Sequence, residues 1–274
     1  MKWQPSKFIV MVAGLHVLAI TWLLLQPENW LVVLLFLLVL HVLVGLLGML
    51  PRSQALGDNL TQFEPEELPG RICLTLDDGP DPRLTPQILQ ILAKYQVKVT
   101  FFCIGRRVEQ YPEVVRQIQS EGHQVENHGY AHRVSNPCSG LAGWKAEIQQ
   151  GADAIFRQTA IRPTLYRPMA GLRNPFLDPV LQRLSVKQVT WSRRAYDTRE
   201  KNPTVVLDKL TRDLVSGEIL LMHDGHAAND ANGSPVILSV LPSLIESVHA
   251  KGFTFCTLAE AFEIAAKADE QLSS

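Results

Sequence analysis

Charge imbalance is the first thing this sequence lacks. Its 26 Lys and Arg residues face 27 Asp and Glu, a formal net charge of −1. With no basic surplus to hold a phosphate backbone, no nucleic-acid partner is expected. Cysteine is scarce, four in 274 residues, with Cys73 and Cys103 in apolar runs, Cys138 in a loop and Cys256 in a late strand-like run. None has a metal-site spacing, and four free thiols fit a reducing compartment. The chain also has no internal repeat and no low-complexity tract, which argues against a repeat array or a disordered tail.

Charge is locally absent from the N-terminal fifth. Phe8 to Leu25 and Trp30 to Leu50 carry no formal charge, and Gln26-Pro-Glu-Asn29 separates them. Each run is long enough to cross a hydrocarbon core of about 30 Å as a helix. No small-residue cleavage site follows the first run, and the second begins at once, which disfavours a cleaved signal peptide. Residues 1–51 therefore read as a transmembrane hairpin with spans over 8–25 and 30–50. Lys2 and Lys7 precede the first span, the loop holds only Glu28, and Arg52 follows the second. The positive-inside rule then predicts an integral inner-membrane protein with its N-terminus and following domain in the cytoplasm. His16 and His41 fall at similar depth, which leaves two readings: a hydrogen-bonded pair across the hairpin, or neutral rings that pack or reach a neighbouring backbone.

Residues 52–70, with Pro65, Pro69 and the acids Glu64, Glu66 and Glu67, read as a polar linker, a solvated tether. From residue 71 the pattern alternates between short apolar runs and amphipathic spacing. Strands are predicted over 72–76, 99–104, 124–127, 165–167, 186–191, 218–222 and 253–256. Helices are predicted over 86–95, 112–121, 143–159, 177–184, 205–215, 236–250 and 258–267. Such alternation implies parallel strands with outer helices, as an α/β barrel or a doubly wound sheet. In either, chemistry gathers at the C-terminal strand ends.

Two motifs stand at such ends. Leu74-Thr-Leu-Asp77-Asp78-Gly-Pro80 ends a strand in two carboxylates, and His128-Gly-Tyr-Ala-His132 places two imidazoles four residues apart. Two neutral imidazoles and one carboxylate suit a hydrolytic zinc-type site with a position open to water. The second Asp is then left to act as a base.

With these motifs the chain resembles the polysaccharide deacetylases, carbohydrate esterases that share a NodB-like domain. The resemblance runs from about residue 71 to 262 and touches five motifs in order. It implies a distorted, incomplete (β/α) barrel as the catalytic domain, over 71–274. It also implies Asp77 as general base, with Asp78, His128 and His132 as metal ligands. Gly129 stands where the family usually has Ser or Thr, and Asn127 is expected to hold the loop. In Arg167-Pro-Met-Ala-Gly171, the resemblance sets Arg167 against the base. The backbone N–H of Ala170 is the implied oxyanion donor, though the usual second Pro and aromatic residue are replaced by Met169 and Ala170. Trp191 and Asp197 match a fourth motif in which Arg194 and Thr198 depart from the pattern; Asp197 is the implied partner of the catalytic His. In Leu221-Met-His223, Leu221 lines the acyl pocket and His223 is the general acid.

The resemblance implies metal-dependent removal of an N-acyl group, acetyl or formyl, from an amino sugar. Zinc is the default metal, and the donor set also accepts Co, Ni or Mn. The hairpin and the predicted cytoplasmic face point to a polyprenyl-linked sugar. A deacetylase of peptidoglycan or exopolysaccharide on the outer face is the first alternative. A silent membrane-anchored glycan-binding domain is the second, and a non-sugar amide hydrolase the third. Arg193 and Arg194 read as a solvated pair or as a phosphate contact. Asp224 and His226 read as a surface loop, and His123 and His249 as structural.

Overall fold

The structure is a computed structural model and describes residues 3–272. It opens with two apolar helices, α1 (Lys7–Leu25) and α2 (Trp30–Gly48), joined by a turn at Pro27–Asn29. Ser6 caps α1 by accepting the N–H of Ile9 at 3.2 Å. Most apolar side chains of both helices face outward, which water does not tolerate but lipid does. Mean hydropathies of 2.4 and 3.0 make both candidate membrane spans by length and composition. His16 and His41 do meet, edge to face, with centroids 5.0 Å apart. Each bonds a carbonyl one turn back on its own helix (Val12 and Leu37), not its partner.

The following domain places β1 (Arg71–Asp77), α3 (Thr85–Tyr95), β2 (Thr100–Cys103), α4 (Gly105–Gln110), α5 (Pro112–Ser120) and β3 (Gln124–Asn127) in succession. Then come α6 (Leu141–Thr159), β4 (Leu165–Tyr166), α7 (Leu177–Leu184), β5 (Lys187–Gln188) and β6 (Arg193–Arg194). The chain closes with α8 (Pro203–Thr211), β7 (Ile219–His223), α9 (Val236–Ala250), β8 (Thr254–Cys256) and α10 (Leu258–Leu272). The strands order as β5-β4-β3-β2-β1-β7-β6, with β8 also on β1, and every named pair is parallel. The curled sheet is the half-barrel expected. The short helix α4 and the strand β6 were not anticipated, since six and two residues carry too little periodicity to read.

β1 is buried over Ile72–Asp77 because strands or helices cover it on both faces, so it reads as continuous rather than alternating. Leu74 and Leu76 pack under α3 and α9 with Ile88, Leu92, Val240 and Leu244. Cys73 and Leu221 turn the other way, into the barrel interior with Phe102 and Trp191. Register places Asp77 beside His223, and Cys103 beside Asn127. The functional motifs therefore share one end of the sheet.

The stretch 52–70 is not a solvated tether. Leu56, Phe63 and Leu68 are buried, and Leu60 bridges Val189 while Gln62 bridges Glu218. Leu60 accepts the Thr190 N–H at 2.8 Å, and the Phe63 N–H donates to Gly217 at 2.9 Å. The segment straps the open side of the half-barrel. Its few apolar residues, spaced among prolines and acids, hid that role.

The strap also fixes the hairpin. The Arg173 guanidinium donates to the Ser53 and Gly57 carbonyls, and its N–H to Gly48 at 3.0 Å. Trp3 Nε1 donates to Asp178 at 2.8 Å, and Ser6 to the Ala55 carbonyl at 2.5 Å. Both ends of the hairpin are thus seated on the domain.

Candidate active site

Asp77 ends β1, and Asp78 follows in a left-handed conformation with φ 75°. That turn defeats the strand alternation and aims both carboxylates into one cleft. The Arg167 guanidinium, wholly buried, donates to Asp77 Oδ1 at 2.7 Å and to Thr75 Oγ1 at 2.8 Å. It also bonds the carbonyls of Val189 and Thr190, and lies 4.0 Å from the Phe102 ring centroid. A buried ion pair whose guanidinium makes four hydrogen bonds holds one geometry; removing either partner leaves an uncompensated charge, at a cost of about 3–5 kcal/mol.

His128 and His132 present Nε2 to the same oxygen, Asp78 Oδ1, at 3.3 and 3.1 Å. The two Nε2 atoms lie 3.1 Å apart. Donor atoms bound at about 2.0–2.1 Å to one tetrahedral zinc would be spaced much like this. Two imidazole nitrogens facing each other beside a carboxylate fit a shared cation, so the donor set suits a divalent metal. His128 Nδ1 is bound to the Arg167 carbonyl at 2.8 Å, which fixes the ring and leaves Nε2 free to ligate. Burial alone would raise the Asp78 carboxyl, but hydrogen bonding to His128 and His226 holds it well below the usual range.

The loop between the histidines is held by two side chains. Asn127 Oδ1 accepts the Gly129 N–H at 2.9 Å, as expected of Asn127. The second, missed from sequence, is Glu147 on α6. Its Oε1 accepts the N–H groups of Ala131 at 2.8 Å and His132 at 2.9 Å. A Cβ on Gly129 would come within 2.7 Å of that oxygen, so the glycine makes the room that Glu147 fills. The only signal in the sequence was the missing hydroxyl at Gly129, which called for a substitute.

Opposite, the His223 ring bonds Asp197 Oδ1 through Nδ1 at 2.8 Å, and its N–H donates to Asp197 Oδ2 at 2.8 Å. Burial pulls the imidazole's pKa down, but the Asp197 hydrogen bond and charge outweigh it and the net shift is upward. A protonated imidazole with Nε2 unused can donate to a leaving group. Leu221 is buried one turn of pleat below. Ala170 adopts φ 53° in the turn Met169–Gly171, whose bonds use the N–H groups of Gly171 and Leu172, not that of Ala170.

The surface-loop reading of Asp224 is overturned. Asp224 is wholly buried, accepts the Thr85 hydroxyl at 2.6 Å, and burial pushes its carboxyl up to about 7. It sits under the Asp78–Gly79 turn, because the bare Gly79 leaves space there. His226 is exposed as expected, yet its Nδ1 lies 3.6 Å from Asp78 Oδ2. Arg193 and Arg194 do not form a solvated pair. Arg193 is bound to Glu218 at 2.6 Å and to the carbonyls of Arg212 and Asp213. Arg194 stands over Trp191 and Tyr196. His123 accepts the Val99 N–H within the fold, and His249 packs beside Phe255.

Residues 66–189 match the family model described as polysaccharide deacetylase. The peptidoglycan-N-acetylglucosamine deacetylase of Bacillus cereus is 31% identical over 69% of this chain and 86% of that protein. A chitooligosaccharide deacetylase of Rhizobium leguminosarum bv. trifolii is 30% identical, over 68% of this chain and 89% of its own. The longer peptidoglycan-N-acetylglucosamine deacetylase PgdA of Listeria monocytogenes is 32% identical, and the match spans 39% of its length. Among solved structures, peptidoglycan deacetylase PdaC from Bacillus subtilis superposes with a TM-score of 0.64 at 27% identity, over 76% of this chain and 96% of that one.

Proposed function

The chain belongs to the polysaccharide deacetylase family, and from that premise we propose that its cleft removes the N-acyl group of a membrane-proximal amino sugar. The enzyme is a hydrolase of carbon–nitrogen bonds in N-acylated glycans, as its relatives are named. One observation carries the reading: a buried carboxylate–arginine pair, a three-donor metal site and a carboxylate-bound histidine converge on one cleft.

Asp78, His128 and His132 would hold the metal, zinc by default. When bound, it supplies Lewis-acid polarisation of the acyl oxygen and lowers the pKa of water. Asp77 takes the proton from the attacking water, and the Arg167 guanidinium orients it. The Ala170 N–H donates to the oxygen as negative charge develops there. Leu221 lines the pocket for the acyl methyl. His223 gives its proton to the nitrogen as the carbon–nitrogen bond breaks, and Asp197 steadies the imidazolium.

The finer part concerns the substrate. Pro51, at the exit of α2, packs on Gly171 of the oxyanion turn: a Cβ there would meet Pro51 at 2.5 Å and Trp191 at 3.1 Å. If α1 and α2 span the bilayer, the cleft is held at the headgroup surface, where a polyprenyl-linked sugar presents its acyl group. The charges at residues 2, 7 and 52 support a cytoplasmic location for that face by the positive-inside rule. The names of the relatives favour a second reading, peptidoglycan on the outer face.

The test is acyl release by the purified full chain from a short-chain polyprenyl-phosphate N-acetyl sugar and from chitooligosaccharide, with a topology reporter fused after Ser274. Release favouring the lipid-linked sugar, with a cytoplasmic reporter signal, is the expected outcome. An external signal with preference for the polymer would replace it with the second reading. No release from either substrate would sink both.

A further inference from the structure

Arg193 and Arg194 are neighbours with opposite fates. Arg193 spends its guanidinium on Glu218 and two backbone carbonyls. Arg194 has no carboxylate within ion-pair reach among the described residues, and its buried Nε has no hydrogen-bond partner. Its guanidinium carbon lies 5.3 Å from the Trp191 ring centroid and 5.1 Å from that of Tyr196. The two rings hold a planar cation in place without neutralising it. An arginine so held, with its fork unused, is prepared for a bidentate anion.

A second cation approaches from the hairpin. Arg52 directly follows the α2 exit, and its Nη1 donates to the Ser192 carbonyl at 3.0 Å, two residues before Arg194. That bond uses one of its donors and fixes the stem. Trp191 links this pair to the cleft, for Arg167, the partner of Asp77, lies 5.8 Å from the same ring. Reading outward, the order is base, arginine, tryptophan, arginine, hairpin exit.

We propose that Arg194, assisted by Arg52, binds a phosphate group carried by the substrate, the ester that joins an amino sugar to its lipid. The proposal rests on the deacetylase reading for the identity of the sugar, but not for the existence of the anion site. The site lies between the hairpin exit and the acyl-cleaving groups, the position that a phosphate takes when its lipid is in the bilayer and its sugar in the cleft.

Equilibrium binding to the full chain in neutral-lipid nanodiscs tests it without relying on turnover. The probes are farnesyl-phosphate N-acetylglucosamine, its neutral farnesyl glycoside twin, and inorganic phosphate. Wild type should bind the phosphorylated probe at least about tenfold more tightly than the twin. Arg194→Gln should abolish that ratio, Arg52→Gln should reduce it, and both should bind the neutral twin as wild type does. Competition by millimolar inorganic phosphate alone would assign the site to free phosphate rather than to the lipid-linked group, and would overturn the substrate claim. Equal binding of the twins by wild type, or a ratio that survives Arg194→Gln, would overturn the site. A normal ratio in a protein that releases no acyl group would leave the site standing and remove the deacetylase reading.

Discussion

Two arginines flank the Trp191 ring, and they are built on different plans. Arg167, on the cleft floor, is wholly buried and has hydrogen bonds to Asp77, Thr75, Val189 and Thr190. Arg194, on the rim, is half-buried and is held by ring faces, with no described acceptor on its Nε. The floor is over-determined, since each acid–base group has its orientation set by at least one partner outside the reaction. The resemblance implies departures at Met169, Ala170, Arg194 and Thr198, and one more at Gly129, between the two histidines. Chemistry that must place a proton tolerates little variation in its surroundings. Recognition of a substrate tolerates more, and the one departure beside the metal donors, Gly129, is matched by the Glu147 carboxylate that fills its space.

Breaking the floor should have the largest effect. Asp77→Asn keeps the shape and the Arg167 contact but removes the proton acceptor, so kcat should fall by about 10³-fold. Metal content of the purified protein should be unchanged, because Asp77 is not one of the three donors. Loss of metal together with activity would move Asp77 into the ligand set.

Asp197→Asn comes next. The folded His223 pKa is raised, so the acid form persists above the ordinary histidine range and activity falls only as pH passes the raised value. Removing the Asp197 charge lowers that pKa. The alkaline limb of the kcat profile should therefore move to lower pH, with kcat at neutral pH down by roughly tenfold to a hundredfold. A profile that keeps its alkaline limb would assign that limb to another group.

The loop clamp sharpens the comparison at one remove. Glu147 touches no reacting atom, so Glu147→Ala should weaken zinc binding by about 10- to 100-fold, measured by calorimetry, while kcat at saturating zinc stays near wild type. Gly129→Ser in the same protein fills the emptied space with a hydroxyl and should recover part of the affinity. On its own, Gly129→Ser meets the Glu147 carboxylate and a φ of 84°, and should weaken binding.

What could be read in advance follows the same division. Asp77 and Asp78 are adjacent, His128 and His132 are four apart, and each pair follows a strand-like run, so local pattern found the two motifs and the resemblance assigned their roles. Strand–helix alternation narrowed the fold to an α/β barrel or a doubly wound sheet, and the resemblance to the deacetylases chose the half-barrel. Glu147 could not be found this way, because its partners are sixteen and fifteen residues distant and on a different element. Asp224 was misplaced because burial of a carboxylate depends on a neighbour's missing Cβ, at Gly79, which no periodicity reports. The strap over 52–70 was misread because Leu56, Phe63 and Leu68 fit neither a helical nor a strand period, yet fill a gap only the folded sheet defines.

The smallest expected effect concerns that strap and the hairpin it seats. A tether would let the domain move freely over the bilayer, and nothing at residue 3 would matter to the domain's stability. In the structure Trp3 Nε1 donates to Asp178, a carboxylate 6% exposed that Gln182 also bonds. Trp3→Phe keeps an aromatic ring at the start of the apolar hairpin and removes that one donor. The loss of a single hydrogen bond to a carboxylate should cost about 1–2 kcal/mol and lower the unfolding midpoint by a few degrees, about 2–4 °C per kcal/mol. Asp178→Asn should then cost less in the Trp3→Phe background than in the wild type, because the Trp3 contact is already gone. Full additivity would mean that the N-terminus does not seat on the domain, and that the hairpin does not fix the position of the cleft.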